Sequence, residues 1–275
     1  MIRLHATNSG PVLERDGRFV RPATGFSLDS LFTASDPVAF AAAAFESGAP
    51  AIAPDSPSAP IASQEIWAAG VTYLRSKSAR MAESKDAGGG TFYDRVYEAE
   101  RPELFFKGNA HRTAAPGGAV RIRADSKWNV PEPELTLAIN SAGKIFGHTI
   151  GNDMSSRDIE GENPLYLPQA KVYAGSCAIG PCLVITETLP AVETEISIEI
   201  RRGGAAVFGG ATTVGRIKRP LPSLAAWLFR EDTFPFGAYL MTGTGVVPDD
   251  TFTLLSGDEI RITIATVGTL VNTVE

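Results

Sequence analysis

Apolar and polar residues alternate with a period of two over much of the chain, the pattern of strands that bury one face. Residues 195–201 (Glu-Ile-Ser-Ile-Glu-Ile-Arg) alternate strictly, and 259–264 and 269–274 read as two closing strands. Further strands are read at 67–73, 103–107, 120–122, 144–150, 183–185 and 206–208. Asp16-Gly17, flanked by residues 12–15 and 18–20, carries the chemistry of a two-residue hairpin turn. Helical signals are fewer. Asp36-Pro37 supplies an N-cap and first-turn proline for a helix to about Glu46, with Gly48 as its stop. A polar segment at 75–84, a helix opening at Thr91 and another near 222–230 complete the set, with a glycine patch at 86–90. The expected class is α+β, predominantly β, and a doubly wound parallel sheet is not expected. An Ala- and Pro-rich stretch at 49–63 reads as a linker, which divides the chain into a small N-terminal α/β unit (1–63) and a larger unit (64–275).

One strand breaks the ordinary alternation. In Pro131-Glu132-Pro133-Glu134-Leu135-Thr136-Leu137-Ala138-Ile139, the odd positions form an apolar face and Glu132, Glu134 and Thr136 share the other. Two carboxylates on one face repel each other unless positive charge lies between them, and a divalent cation with oxygen ligands supplies it. An edge strand with a solvated acidic face is the other reading, since proline confines a strand to an edge or its first residues. Asp153 follows nineteen residues after Glu134, past the strand read to Ile150 and ahead of a polar turn at 154–158. A turn at Ser141-Ala142-Gly143 would return it beside the acidic strand. Three carboxylates without histidine fit Mg²⁺, Mn²⁺ or Ca²⁺ rather than zinc, and open coordination positions favour a catalytic Mg²⁺. An aspartate that only caps the following turn is the alternative.

Composition narrows the function classes. The 275 residues carry 25 Lys+Arg against 31 Asp+Glu, a formal charge of −6, which argues against a nucleic-acid or acidic-membrane binder. Two cysteines, Cys177 and Cys182, are too few for a zinc site and are expected as buried apolar residues. The first residues lack the apolar run of a secretion signal and no stretch is long enough to span a bilayer, so a cytoplasmic location is expected.

The segment 151–158 (Gly-Asn-Asp-Met-Ser-Ser-Arg-Asp), the Glu-x-Glu pair, Lys171 ahead of Gly180-Pro181, Thr242-Gly243-Thr244-Gly245 and the ending 268–272 together resemble the fumarylacetoacetate hydrolase superfamily over roughly residues 66–275. The resemblance implies that family's mixed β-sandwich or roll, Mg²⁺ (or Mn²⁺) at Glu132, Glu134 and Asp153, and an active-site lysine at Lys171. It also implies Thr244 beside the substrate carboxylate, and a homodimer or homotetramer. Hydrolytic members carry a histidine a few residues after an Asn-Tyr pair, with a glutamate close behind. The matching segment here, residues 72–79, has no histidine.

The runs 101–107 (Arg-Pro-Glu-Leu-Phe-Phe-Lys) and 162–175 are similar to those of the 2-keto-3-deoxy-pentonate (arabinonate or xylonate) dehydratase subgroup, which forms 2,5-dioxopentanoate in non-phosphorylative pentose oxidation (a Weimberg-type pathway). That similarity maps an active-site glutamate onto Glu103. The implied reaction is dehydration of a 2-keto acid, with Lys171 and Glu103 as base and acid. Lys171 is favoured near C3 because a metal and burial both favour the neutral amine, though the roles can be exchanged. C–C hydrolysis of an acylpyruvate and non-catalytic binding of a sugar acid are the competing readings. Arg75 in a lid over about 75–95, and Tyr166 and Phe105 near Lys171, are further substrate-binding candidates. His5, His111 and His148 are isolated in sequence and read as packing or surface residues.

Overall fold

Two β-sheets stacked face to face follow from the long alternating segments, and helices cover part of the other face of the larger one. The computed structural model describes residues 1–74 and 90–275. Arg75, the polar helix read at 75–84 and most of the glycine patch and supposed lid lie outside the described residues.

The first residues form β1 (Ile2–His5), β2 (Val12–Arg15) and β3 (Arg18–Arg21). Asp16 and Gly17 both adopt positive φ (53° and 76°), as the hairpin reading requires. Helix α1 (Leu28–Thr33) follows, then α2 (Pro37–Glu46), whose N-cap Asp36 accepts from Ala39 N–H at 2.9 Å. Next come β4 (Ala49–Ala51), β5 (Glu65–Gly70), α3 (Gly90–Glu98), β6 (Glu103–Gly108), β7 (Thr113–Ala114) and β8 (Ala119–Val120). The centre of the chain is β9 (Asn129–Ile139), β10 (Ile145–Ser156), the short helices α4 (Arg157–Glu162) and α5 (Leu167–Lys171), and β11 (Cys177–Ile185). Strands β12 (Glu195–Arg202) and β13 (Ala205–Thr213), helix α6 (Leu221–Leu228), and strands β14 (Ala238–Met241), β15 (Glu259–Ile264) and β16 (Gly268–Val274) complete it.

The larger sheet has 11 strands in the order β4-β3-β2-β1-β11-β10-β9-β14-β5-β6, with β7 also on β11. Because β7 pairs with β11 just after β6 has ended, the sheet rolls until its last strand returns to β11. Ideal Cβ placement at Gly108 brings it 3.8 Å from Cys177 Cβ. The second sheet, β13-β12-β15-β16-β8, packs on the outer face of this roll. Leu135, Leu137, Ile139 and Leu240 meet Ile196, Ile198, Ile260 and Ile262 there. On the opposite face, Ala138, Tyr239 and Met241 pack beneath Leu31, Phe32 and Phe45 of α1 and α2. Residues 1–63 thus extend the large sheet through β1 on β11 and cover one of its faces.

The acidic strand is not at an edge. β9 lies between β10 and β14, and every one of its residues is buried. Its prolines are tolerated for a local reason. β14 ends at Met241 opposite Thr136, and Leu135 O accepts from Thr242 N–H at 3.0 Å. Odd-numbered residues of β9 therefore turn their backbone toward that side, where Pro133 and Pro131 have no strand to donate to. The prolines mark the end of a partner strand, not the edge of the sheet.

Candidate metal centre and active site

The hairpin of β9 and β10 builds the acidic cluster. Asn140 Oδ1 accepts from the N–H groups of Ala142 (3.1 Å) and Lys144 (2.8 Å), closing the turn read at 141–143. The antiparallel register sets Glu132 opposite Asp153 and Glu134 opposite Gly151, so all three acidic side chains share one face. Gly151 is required because a Cβ there would lie 2.4 Å from Thr136 Oγ1. One oxygen of each carboxylate lies within 4.8 Å of the others, and all three residues are buried.

The strand does not end at Ile150, and residues 154–156 are not a turn. β10 runs on to Ser156, paired with Asn129, and the helix starts only at Arg157. The polar residues stay in the strand because buried partners await them: Ser155 Oγ donates to Glu160 Oε2, and Ser156 Oγ to Asn129 Oδ1, each at 3.0 Å.

Three buried cations answer the three carboxylates. Lys171, at the end of α5, donates to Glu132 Oε2 (2.7 Å) and Asp153 Oδ2 (3.1 Å). Arg157 Nη2 donates to Glu132 Oε1 at 2.5 Å. Lys107 Nζ donates to Met154 O (2.9 Å) and Lys171 O (2.5 Å), and its charge lies 2.6 Å from Asp153 Oδ1. Gly243 N–H donates to Glu134 Oε2 at 2.6 Å. Taking such ions out of water costs several kcal/mol each unless they are paired this closely.

Lys107 and Arg157 were not among the residues expected here. In the run 103–107 the alternation makes Lys107 a partner for Glu103 on a polar face. The roll of the sheet turns that face inward and buries Lys107 completely. Parity along β6 was the available signal, since it puts Lys107 on the face of Glu103 and Phe105. Arg157 lies in the 151–158 segment, whose composition does not show that its guanidinium turns back onto Glu132.

Glu134 is held above the usual carboxylate range by burial and by the charges of Asp153 and Glu132 beside it. Tyr73 is raised by burial and by Glu134. A divalent cation among these hard oxygen donors would offset both effects, so the residues fit the metal that the acidic cluster predicts. Both cysteines are buried free thiols, each pushed up to about 12 mainly by burial.

The candidate substrate residues divide. Thr244 and Phe105 line the cleft with the carboxylates and Lys171, and Lys171 Nζ stands 5.9 Å from the Phe105 ring centroid. Glu103 is half-buried opposite Gly70, a cleft residue, where a Cβ would collide with its carboxylate at 1.9 Å. Tyr166 is 38% exposed on the turn Pro164–Tyr166 and does not line the cleft. Asn163 caps that turn through Leu165 N–H, which keeps the tyrosine on the surface in this chain. No histidine lines the cleft. His148 bonds Thr266 Oγ1 at 3.1 Å and burial lowers its pKa to about 4, His5 pairs with Glu14, and His111 sits on a short surface turn.

Three comparisons bear on the site. The sequence model of the fumarylacetoacetate (FAA) hydrolase C-terminal family matches residues 65–275. A probable 2-keto-3-deoxyxylonate dehydratase of Haloferax volcanii is 48% identical over 216 residues, 78% of this chain and 73% of that protein. The 2-dehydro-3-deoxy-D-arabinonate dehydratase of Saccharolobus solfataricus is 40% identical over 219 residues, with the same coverage of 78% and 73%. A solved structure of 2-keto-3-deoxy-D-arabinonate dehydratase, complexed with magnesium and 2,5-dioxopentanoate, superposes with a TM-score of 0.80 at 30% identity, covering 100% of this chain and 98% of that one.

Proposed function

Because the chain belongs to the fumarylacetoacetate hydrolase family, we propose that it removes water from a 2-keto-3-deoxy-pentonate to give 2,5-dioxopentanoate, with Mg²⁺ at Glu132, Glu134 and Asp153. The observation that carries this reading is the buried carboxylate cluster with Lys171 Nζ bonded to two of its members. Relatives at 48% and 40% identity bear dehydratase names, and the bound product of the solved neighbour identifies the substrate class.

The formal charges of the inner side chains cancel, three carboxylates against Lys107, Lys171 and Arg157. A divalent ion leaves the site positive, which suits an anionic 2-oxo acid. When bound, Mg²⁺ supplies the charge that polarises the 2-oxo group and acidifies the C3 protons. The bound ion disfavours the charged form of Lys171, central in the cluster, which gives up its own proton and as the neutral amine takes a C3 proton. Glu103, on the rim, gives a proton to the C4 hydroxyl, which leaves as water. Loss of a C5 proton from the enone and reprotonation at C3 give an enol, which becomes the aldehyde by taking a proton at C4 and losing its hydroxyl proton, so the sum is substrate minus one water. Thr244 holds the substrate carboxylate, and Phe105 keeps the Lys171 side of the cleft dry.

The test is incubation of the purified protein with 2-keto-3-deoxy-pentonate and, separately, with an acylpyruvate, each with and without EDTA. Semialdehyde formation from the first substrate, abolished by EDTA, is expected; pyruvate release from the second alone would replace dehydration with hydrolysis. The cleft without histidine favours dehydration. The same proposal includes a cytoplasmic location, a catalytic unit at 64–275 with a small N-terminal domain at 1–63, and a homodimer or homotetramer, for which light scattering is the measurement. Among the described residues no helix is long and apolar enough to cross a membrane.

A further inference from the structure

A sheet edge offers open backbone groups to any strand that fits, and folds guard their edges with short strands, proline, charge or cover. Three of the edges here are guarded. β4 has three residues with Pro50 at its centre, β8 has only two, and β6 carries Glu103 and Lys107 where the roll closes. β13 has none of these devices along most of its length. It ends the second sheet, and among the described residues no strand pairs with its outer side. Its nine residues, Ala-Ala-Val-Phe-Gly-Gly-Ala-Thr-Thr, include no charge and no proline, and Ala205, Ala206, Val207, Gly209 and Ala211 are exposed. The register with β12 slips once, at Val207 beside the hairpin, and runs unbroken from Phe208 to Thr213.

Two details indicate what covers this edge. The solvent face of the neighbouring strands is a ladder of charge, with Glu199 opposite Arg261, Arg201 opposite Glu259, and Arg201 paired with Glu199. The ladder stops at β12, and the next row, Ala206, Gly209 and Ala211, is small and neutral. Nothing inside the chain requires glycine at 209. A Cβ there would meet only Ile198 O, at 3.8 Å, whereas one at Gly210 would strike Val246 at 2.6 Å. Glycine within a strand often marks the close approach of another backbone. Resting on the homo-oligomer reading above, we propose that β13 pairs antiparallel with β13 of a second copy about a two-fold axis at Gly210, joining two five-stranded sheets into one. Opposing residues of an antiparallel pair share a face, so a two-fold normal to the sheet must pass through a residue. With Gly210 on the axis, Gly209 faces Ala211 of the second copy. Since Gly210 pairs with Ile198, Arg201 then stands level with Glu195 of the second copy. The two lie three strand spacings apart, roughly 14 Å, across a row of side chains too small to obstruct them. Each ladder thus meets opposite charge across the joint.

The experiment is sedimentation analysis over a dilution series for the wild type, G209K/A211K and G209K/A211E, with circular dichroism to establish folding. Within one chain a lysine at 209 stands opposite Glu199 and is tolerated. Across the joint the double-lysine variant sets like charges opposite each other twice, and the lysine–glutamate variant sets opposite charges at the same two places. G209K/A211K is expected to fall from dimer to monomer, or from tetramer to dimer, with a dissociation constant about 10-fold or more above that of G209K/A211E, which keeps the wild-type assembly. Equal constants in the two folded variants overturn the inference and leave the homo-oligomer reading standing. A wild type that is monomeric at every concentration overturns both. Should the variants fail to fold, amide hydrogen exchange of the wild type carries the test. Protection of β13 that falls as the assembly is diluted apart supports the pairing, and protection indifferent to dilution overturns it.

Discussion

Single side chains decide the chemistry here by where their charge is trapped. Lys171 sits among the clustered carboxylates and Glu103 lies against Gly70 of the cleft wall; as the proposed proton-transfer pair, the two are expected to fail in the same way when altered. Lys171→Met or Glu103→Gln should lower kcat by about 10²–10⁴-fold, the usual contribution of a proton-transfer group, while Mg²⁺ binding by calorimetry persists. Near-normal kcat in either variant removes that residue from the mechanism. His148 makes a different prediction, about stability. Burial lowers its pKa to about 4 from 6.5, so above pH 6.5 the ring is neutral in both folded and unfolded chains. Between pH 6.5 and 4 only the unfolded chain takes up the proton, and stability is lost as pH falls. His148→Gln should remove a penalty on the order of 3 kcal/mol at pH 4, read as a shallower fall in urea-unfolding free energy than in the wild type. The acidic triad was legible in the sequence because strand alternation and a tight turn are local rules that bring Glu132, Glu134 and Asp153 together. Lys107 was not, since only the closure of the roll by distant strands makes an apparent surface lysine a buried one.

Among the elements, those with strong local signals match the sequence reading well. The β2–β3 hairpin, α2 with its Asp36 cap, and β15 each obey short-range chemistry. β10 outruns the strand read to Ile150 because Met-Ser-Ser-Arg-Asp at 154–158 has the polar composition of a turn, and only the register with β9 and the buried partners of Ser155 and Ser156 keep the chain extended to Ser156. Tyr166, close in sequence to Lys171, lies on an exposed turn and not among the residues lining the cleft, since proximity in sequence does not decide which way a short turn faces. The β5–β6 pair carries the element-scale prediction. Gly70 lies opposite Glu103, and a methyl group there would press on the carboxylate. Gly70→Ala should therefore lower kcat by roughly 10² or more, in line with a displaced proton-transfer group, and leave Mg²⁺ affinity unchanged. An equal loss of metal affinity would mean that the strand pair, and not the glutamate alone, had moved.

For the molecule as a whole, metal and fold are linked, because an ion that binds only the folded chain stabilises it. With Mg²⁺ at 100 times its dissociation constant the gain is about 2.7 kcal/mol, and EDTA should lower Tm accordingly and reversibly. The N-terminal segment matters on the same scale. Leu4, Leu13, Val20, Phe32 and Phe45 are at most 1% exposed, and they pack in one cluster with Ala138, Tyr239 and Met241 of the large sheet. A chain beginning at residue 64 is expected to aggregate on expression, and a monodisperse, heat-stable fragment would refute this. The prolines of β9 have a consequence of their own at this scale. A backbone flank left without a partner strand is where an extended segment can add to a sheet, as the ligands of sheet-binding modules do. With prolines at positions 131 and 133, the stretch past Met241 has no amide protons there to leave unsatisfied, so it stays buried without a pairing strand.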